Sequence, residues 1–234
     1  MKIAGIQKNS FVDYRGKIAA VVFTPGCNLN CYYCHNRSIL DEGACSKIYR
    51  EKEVIQYLAE RKRFLDGVVI SGGEPTLQPD LEIFISEVKK LGYPVKLDTN
   101  GTNPDRLAGL IENKLLNYVA MDIKAPFERY EEICGVCVDT GKIGRSIDLL
   151  MKGQVDYEFR TTVAPDITEM DILAIAHRIK GASRYILQQY RKPLPDEEIV
   201  DYRLLKLNHT PVFLKSMSEK IKDMVRQNEI RGII

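Results

Sequence analysis

The chain carries almost no net charge: 34 basic residues against 32 acidic ones leave a formal +2. That balance gives no electrostatic case for a nucleic-acid partner, because binding a polyanion rests on a basic surplus. No apolar run approaches the roughly 20 residues needed to span a bilayer, so no membrane partner is expected. The opening, Met1-Lys2-Ile3-Ala4-Gly5, lacks the charged, apolar, then cleavable order of a secretion signal. The expectation is a cytoplasmic protein in a reducing setting. There, clustered cysteines more often bind metal or do redox work than form disulfides. Low-complexity tracts and obvious repeats are missing too. What is left is ordinary for a globular protein: 234 residues, 44% hydrophobic and 28% charged. That suits one sizeable domain, or one domain with a short appendage.

Short β-branched runs alternate with longer amphipathic stretches. Six runs read as strands: Ile18–Phe23, Gly67–Ser71, Val95–Thr99, Tyr118–Lys124, Tyr157–Val163 and Arg184–Gln189. Unbroken apolar runs such as the first suit strands covered on both faces, as in a parallel sheet. The stretch from Glu51 to Phe64 places Val54, Ile55, Leu58 and Ala59 at helical spacing. A helix over Leu81–Leu91, ended by Gly92, is expected to turn Ile83, Phe84, Ile85 and Val88 inward. Further helices are expected from about Pro104, within an interrupted segment from Pro126 to Leu150, from near Thr168, and over Thr210–Gln227. A proline-bearing loop, Pro193-Leu194-Pro195, separates the last strand from the C-terminal stretch. The expected division is a core domain over 1–192 and a helical tail, packed on it, over 193–234.

Strands alternating with helices argue for a parallel α/β fold built from βαβ units. A closed eight-unit barrel needs about 250 residues, so six units imply an open partial barrel or a doubly wound sheet. Polar residues decide between them. Cys27, Glu74, Asp98–Thr99, Asp122–Lys124 and Arg160–Thr162 fall within or just beyond the ends of successive strands. Chemistry spread round a rim at strand ends is the habit of barrels, whereas a doubly wound sheet gathers it at one switch point.

Three of the six cysteines sit within eight residues, as Cys27-x3-Cys31-x2-Cys34. Thiolates so close can face one soft centre. Structural zinc wants four closed ligands, the fourth coming from His35, Cys45 or the Cys134/Cys137 pair. A [4Fe–4S] cluster held by three leaves one iron open to an outside ligand. Spacing alone leaves both open. Tyr32 and Tyr33 are core residues or a screen against water. Cys134-x2-Cys137 is half of a metal site, a redox dithiol, or incidental.

The pattern Cys27/Cys31/Tyr33/Cys34 resembles the signature of the radical S-adenosylmethionine (SAM) enzymes, and Gly72-Gly73-Glu74 follows the second strand where that family carries Gly-Gly-Glu. The resemblance covers roughly residues 1–190 and implies a partial (β/α)6 TIM-type barrel. Ser10-Phe11-Val12-Asp13 before Gly16, Cys34-His35-Asn36, Asp98-Thr99-Asn100-Gly101 and Asp122-Ile123-Lys124 are similar to the glycyl-radical-enzyme activases. Within that group the compact chain is most similar to activating proteins of anaerobic ribonucleoside-triphosphate reductase; pyruvate formate-lyase-activating enzymes are near relatives. A ferredoxin-like insert is missing between Cys34 and Gly72.

The resemblance implies that Cys27, Cys31 and Cys34 hold a [4Fe–4S] cluster whose open iron binds SAM. It implies that Glu74 accepts from the methionyl ammonium and that Gly72 and Gly73 let backbone approach the ligand. Tyr33 would lie against adenine, and Lys124 and Arg160 would help bind SAM. Asp98, Thr99 and Asp122 match positions that in some activases hold a monovalent cation. Asp122 and Lys124 have a plainer reading as a pair, as does Asp98 as a turn cap. Gln188-Gln189-Tyr190-Arg191 stands where the family carries a histidine. The implied partners are a glycyl radical enzyme and a flavodoxin or ferredoxin as electron donor. Two rival expectations are a radical SAM enzyme acting on a small molecule and a non-catalytic zinc-binding module.

Overall fold

The structure is a computed structural model that describes residues 1–41, 43, 45, 48–192 and 201–232. In chain order the strands are β1 (Gly5–Ser10), β2 (Ala19–Thr24), β3 (Gly67–Gly72), β4 (Val95–Thr99), β5 (Tyr118–Asp122), β6 (Asp156–Val163), β7 (Tyr185–Gln189) and β8 (Asn228–Arg231). The helices are α1 (Glu51–Glu60), α2 (Leu81–Lys90), α3 (Pro104–Glu112), α4 (Tyr130–Cys134), α5 (Thr140–Met151), α6 (Glu169–Arg178) and α7 (Pro211–Ile221).

All eight strands form one sheet in strictly sequential order. β1 runs antiparallel to β2, and every pairing from β2 to β8 is parallel. With β1 and β8 as its two edges the sheet stays open. A sequential order has no switch point, so this is a partial barrel and not a doubly wound sheet. The six strands expected from sequence are β2 to β7.

The helices begin where side chains satisfy their free amides. Thr168 and Asp171 form a reciprocal capping box on α6, and Thr210 caps α7 ahead of Pro211. α2 buries Leu81, Phe84, Ile85 and Val88, spaced to make one stripe, while Ile83 is 62% exposed. Three successive apolar residues cannot all face inward at 3.6 residues per turn, so the expected inner face was one residue too wide.

Both unforeseen strands are polar. β1 is an edge strand in which Gln7, Lys8 and Asn9 are exposed and only Ser10 is buried. β8 reads Asn228-Glu229-Ile230-Arg231, so the tail, expected to hold one helix over about Thr210–Gln227, goes on beyond it to extend the sheet beside β7. The loop over Pro193–Pro195 lies outside the described residues.

The two faces of the sheet differ. The convex face packs on the helices through a continuous apolar core that includes Val22, Ile70, Leu97, Met121 and Phe159. The concave face begins apolar at Ala19, Val21 and Val69, covered by Tyr14. From β4 onward it turns charged, with Lys96, Asp98, Glu158 and Arg160 all buried. Arg231 of β8 grips Glu158 of β6 with two bonds, Nη1 to Oε1 at 2.7 Å and Nη2 to Oε2 at 2.8 Å, and Tyr118 donates to Oε2 at 3.1 Å. Charges in an interior need such partners, because a lone buried carboxylate is strongly disfavoured. Arg231→Ala is expected to destabilise the protein by about 3 kcal/mol, the usual cost of stripping one partner from a buried pair. Urea unfolding followed by circular dichroism measures it.

Candidate functional site

β2 ends at Thr24, and the chain turns through Pro25 and Gly26 into the cysteine loop. The end of β3 seats directly against this root. Gly73 N donates to Thr24 O and Glu74 N to Gly26 O, each at 2.8 Å. A Cβ at Gly73 would lie 1.9 Å from Gly26 O, and one at Gly72, where φ is +124°, 2.3 Å from Thr24 N. The two glycines are thus required by backbone packed on backbone at the base of the cysteine loop. This physical reason differs from the expected approach to a ligand. Asn36 Nδ2 ties the far side of the loop to Gly72 O at 2.8 Å, and Gln78 Nε2 holds Pro25 O at 2.9 Å.

Glu74 is completely buried. Its Oε1 accepts from Thr76 N at 3.1 Å, Thr76 Oγ1 at 2.6 Å and Thr99 Oγ1 at 2.7 Å, while Oε2 accepts from Asn100 N at 2.7 Å. Burial pushes its carboxyl upward, and these hydrogen bonds work against that rise. The carboxylate expected to meet an ammonium is already the joint between the ends of β3 and β4. Asn100 extends the joint, its Nδ2 reaching Asn28 Oδ1 at 3.0 Å and Cys27 Sγ at 3.8 Å.

All three cysteines of the loop are free thiols lining one cavity of about 940 Å³. Their surroundings differ. Burial raises Cys27 to about 11 and also raises Cys34. Cys31 is lowered to about 7, chiefly by a hydrogen bond from the Cys134 thiol. The peptide between them is pinned by Arg37, whose Nη2 donates to Cys31 O at 2.8 Å and Nη1 to Asn30 Oδ1 at 3.0 Å. Tyr33 is buried, edge-on to Tyr32 with centroids 5.1 Å apart, and its hydroxyl has no hydrogen-bond partner among the described residues.

The opposite wall is a row of opposite charges. Arg160 Nε donates to Asp122 Oδ1 at 2.8 Å, and its Nη1 lies 3.3 Å from Asp98 Oδ2. Lys124 Nζ donates to Asp122 Oδ2 at 3.0 Å, the plainer pairing expected for these two. Lys96 Nζ stands 2.8 Å from Asp98 Oδ1, an ion pair whose angle leaves that oxygen without an aligned hydrogen bond. Burial alone would raise Asp122, but Arg160 and Lys124 hold it well below the usual carboxylate range. Lys124 is raised in turn by Asp122 and Cys31 against the opposing effect of burial.

Every site residue expected from sequence lines this cavity: Cys27, Cys31, Cys34, Tyr33, Gly72, Gly73, Glu74, Asp98, Thr99, Asp122, Lys124 and Arg160. Gln188, Gln189 and Arg191, standing in place of the family histidine, line it too. His35 packs on Tyr190, with ring centroids 5.5 Å apart, and His177 is exposed on α6. The Cys134/Cys137 pair is divided: Cys134 is wholly buried and Cys137 exposed. Among the described residues no three His, Cys, Asp or Glu side chains stand close enough to hold a single metal ion. Three thiols around one cavity fit a multi-iron cluster, whose ligands bind separate irons. The orphan Tyr33 hydroxyl and the paired charges opposite suit a zwitterionic ligand beside it.

Comparison with known proteins follows the same line. The family model described as Radical SAM superfamily matches residues 21–179. The chain belongs to the Radical SAM superfamily. A Methanocaldococcus jannaschii protein named "Putative glycyl-radical enzyme activating enzyme" is 39% identical over 235 aligned positions, covering 95% of this chain and 94% of that one. The pyruvate formate-lyase-activating enzyme of Clostridium pasteurianum is 30% identical over 191 positions, covering 77% of this chain and 76% of that one. Within the radical SAM enzymes the chain groups with these glycyl-radical enzyme activating enzymes. Streptococcus suis SuiB matches the fold with a TM-score of 0.68 at 14% identity, covering 91% of this chain and 48% of SuiB. The anSMEcpe structure with bound AdoMet matches with a TM-score of 0.60 at 22% identity, covering 85% of this chain and 57% of that one. This chain therefore spans about half the length of those solved structures, and the likeness is one of fold.

Lys96 and Arg37 escaped the sequence reading, and Asn100 entered it only as part of the Asp98–Gly101 motif, without a role of its own. Lys96 alternates with Asp98 along β4, a spacing of two that puts both on one face, and this was the available signal. Arg37 and Asn100 act through backbone and amide contacts that no spacing announces.

Two outcomes follow. Gly73→Ala forces the cysteine loop off its seat, with an expected loss of about 1–3 kcal/mol and poorer iron retention after anaerobic reconstitution; thermal melting and iron analysis measure both. Asp122→Asn is expected to destabilise the metal-free protein at neutral pH. The folded carboxyl lies below its unfolded value of about 3.9, so its stabilisation is full above that pH and lost as pH falls through the folded value. Urea midpoints of parent and variant should therefore converge on acidification.

Proposed function

We propose that this chain is a radical SAM activase that installs a glycyl radical on a partner enzyme, with an anaerobic ribonucleoside-triphosphate reductase as the partner. The observation that carries the reading is the single open cavity that gathers Cys27, Cys31 and Cys34 with Gly72-Gly73-Glu74 and the charged wall. The identity to the Methanocaldococcus jannaschii protein over nearly the whole chain supports the activase class. The motifs around Asp13, Asp98 and Asp122 resemble the activase group as a whole, and the likeness to activating proteins of the anaerobic reductase lies in the compact chain, without an insert between Cys34 and Gly72. A pyruvate formate-lyase-type activase is the alternative, favoured by the identity to the Clostridium pasteurianum enzyme.

In this reading Cys27, Cys31 and Cys34 hold a [4Fe–4S] cluster and the cavity takes SAM. Together these cofactors supply one-electron reductive cleavage of the sulfonium to methionine and a 5′-deoxyadenosyl radical, which takes hydrogen from a glycine Cα to leave 5′-deoxyadenosine. The chain's own part is positioning. Glu74 and Asn100 fix the cysteine loop to the sheet. Lys124 and Arg160 present positive charge toward a carboxylate, and Tyr33 offers its ring and unpaired hydroxyl to the nucleoside. Asp98, Thr99 and Asp122 would also be the place for a monovalent cation beside SAM, next to the ion pairs that Asp98 and Asp122 make with Lys96, Arg160 and Lys124. The open sheet leaves room for a protein loop to enter. The electron would come from a flavodoxin or ferredoxin, and the setting would be the cytoplasm; no helix among the described residues is long and apolar enough to cross a membrane.

The test mixes the anaerobically reconstituted protein, a reductant and SAM with each candidate partner. A glycyl radical signal in electron paramagnetic resonance on the reductase is the expected result, with about four irons per chain. Cys27→Ala, Cys31→Ala and Cys34→Ala should each abolish it. A radical only on the lyase selects the alternative. SAM cleavage with no protein radical points to a small-molecule substrate, and stoichiometric zinc without iron overturns the reading.

A further inference from the structure

Asn100 follows β4 directly and is buried, and each polar atom of its side chain is used. Its backbone N donates to Glu74 Oε2 at 2.7 Å, which fixes where the side chain starts. Its Oδ1 accepts from Thr102 N at 3.0 Å and from Thr102 Oγ1 at 2.6 Å. Two donors on one atom settle which end of the amide is oxygen. The nitrogen end is therefore turned toward the cysteine loop. There Nδ2 donates to Asn28 Oδ1 at 3.0 Å and to Cys27 Sγ at 3.8 Å. An amide nitrogen carries two hydrogens, one for each of these acceptors.

The arrangement closes on itself. Asn28 Nδ2 donates to Thr102 Oγ1 at 2.9 Å, and that hydroxyl donates on to Asn100 Oδ1. Asn28, Thr102 and Asn100 thus form a ring of hydrogen bonds in which each donor polarises the next. The ring holds the Asn100 amide from two sides and leaves one N–H for the sulfur. Leu29 N, inside the loop, donates to the same sulfur at 3.4 Å. Cys27 Sγ therefore receives one N–H from its own loop and one from the end of the sheet. Anchoring the loop needs only the bond to Asn28. The second hydrogen is left over from that task and acts on the ligand itself.

We propose that Asn100 is a positioning residue for the cluster: its Nδ2–H orients the Cys27 sulfur and raises the reduction potential of the cluster that Cys27 helps to hold. A ligating sulfur gains electron density when the cluster is reduced, so a hydrogen bond to it favours the reduced state, and such bonds are among the main settings of iron–sulfur potentials. The inference rests on the cluster reading above. It gives the third residue of Asp98-Thr99-Asn100-Gly101 a task separate from those of its neighbours.

The test uses the full chain reconstituted anaerobically, as Asn100→Ala, Thr102→Val and the nearby control Asn103→Ala, whose Nδ2 donates instead to Thr76 O at 3.3 Å. Redox titration followed by electron paramagnetic resonance needs neither SAM cleavage nor a partner. The expected midpoint is more negative in Asn100→Ala, more negative by less in Thr102→Val, where the amide loses its hydroxyl support, and unmoved in Asn103→Ala. An Asn100 that only anchors the loop would lower iron retention and leave the midpoint of the loaded protein at the parent value. That result overturns the proposal, as does a shift to more positive potential or an equal shift in Asn103→Ala. If Asn100→Ala takes up no iron, the parent protein decides. Isotopic labelling of its asparagine side-chain amides should change a nitrogen coupling to the reduced cluster in pulsed paramagnetic resonance, and no such coupling overturns the proposal. A parent chain that assembles no cluster would instead overturn the cluster reading, and this inference with it.

Discussion

The site hangs on a buried carboxyl group that, among the described residues, pairs with no cation. Glu74 lies at zero exposure, and its two oxygens take four hydrogen bonds from the ends of β3 and β4. A carboxyl group buried in that position is tolerable only because each donor is fixed by backbone or by a short hydroxyl side chain. Through its own amide the same residue holds Gly26, and through Asn100 it reaches Cys27 and Asn28. The cysteine loop has no regular secondary structure beyond short turns, so this joint and the glycine seat beneath it do the work that a strand or helix would otherwise do. Rigid support for a loop that carries chemistry is what precise placement of ligands requires.

The concave face solves a second problem. A partial barrel leaves its interior open, and an apolar interior exposed to water would be a liability. Here three cations, Lys96, Lys124 and Arg160, face Asp98 and Asp122, while Arg231 answers Glu158. These interior charges therefore face partners of opposite sign, and the wall opposite the cysteines is polar without being strongly of one sign.

Much of this was legible in the residues. Strands β2 to β7 announced themselves because a strand covered on both faces must be nearly all apolar, and Val68-Val69-Ile70 has no other comfortable home. The rim was legible because polar residues gather within or just beyond the carboxyl ends of those runs. Motif likeness then brought Glu74 and the cysteines together. What stayed hidden were residues whose value lies in a distant partner. Arg231 looks like a solvated charge until Glu158 of β6 is placed beside it, and the polar sequence of β8 concealed a strand in the tail. The glycines were noticed, but their crowding against Thr24 and Gly26 depends on a long-range register that composition does not contain.

The clasp between Arg231 and Glu158 has a consequence for the order in which the chain acquires its structure. The two residues stand 73 positions apart, and the basic member is the later one. As the chain leaves the ribosome, β2 to β7 can pair with their neighbours one after another, since the sheet order is the order of synthesis. Glu158 nonetheless waits without its counter-charge until β8 emerges. The barrel interior is thus completed from the C-terminal side, and a nascent chain halted before residue 228 holds a sheet whose sixth strand presents an unanswered carboxylate to its own core.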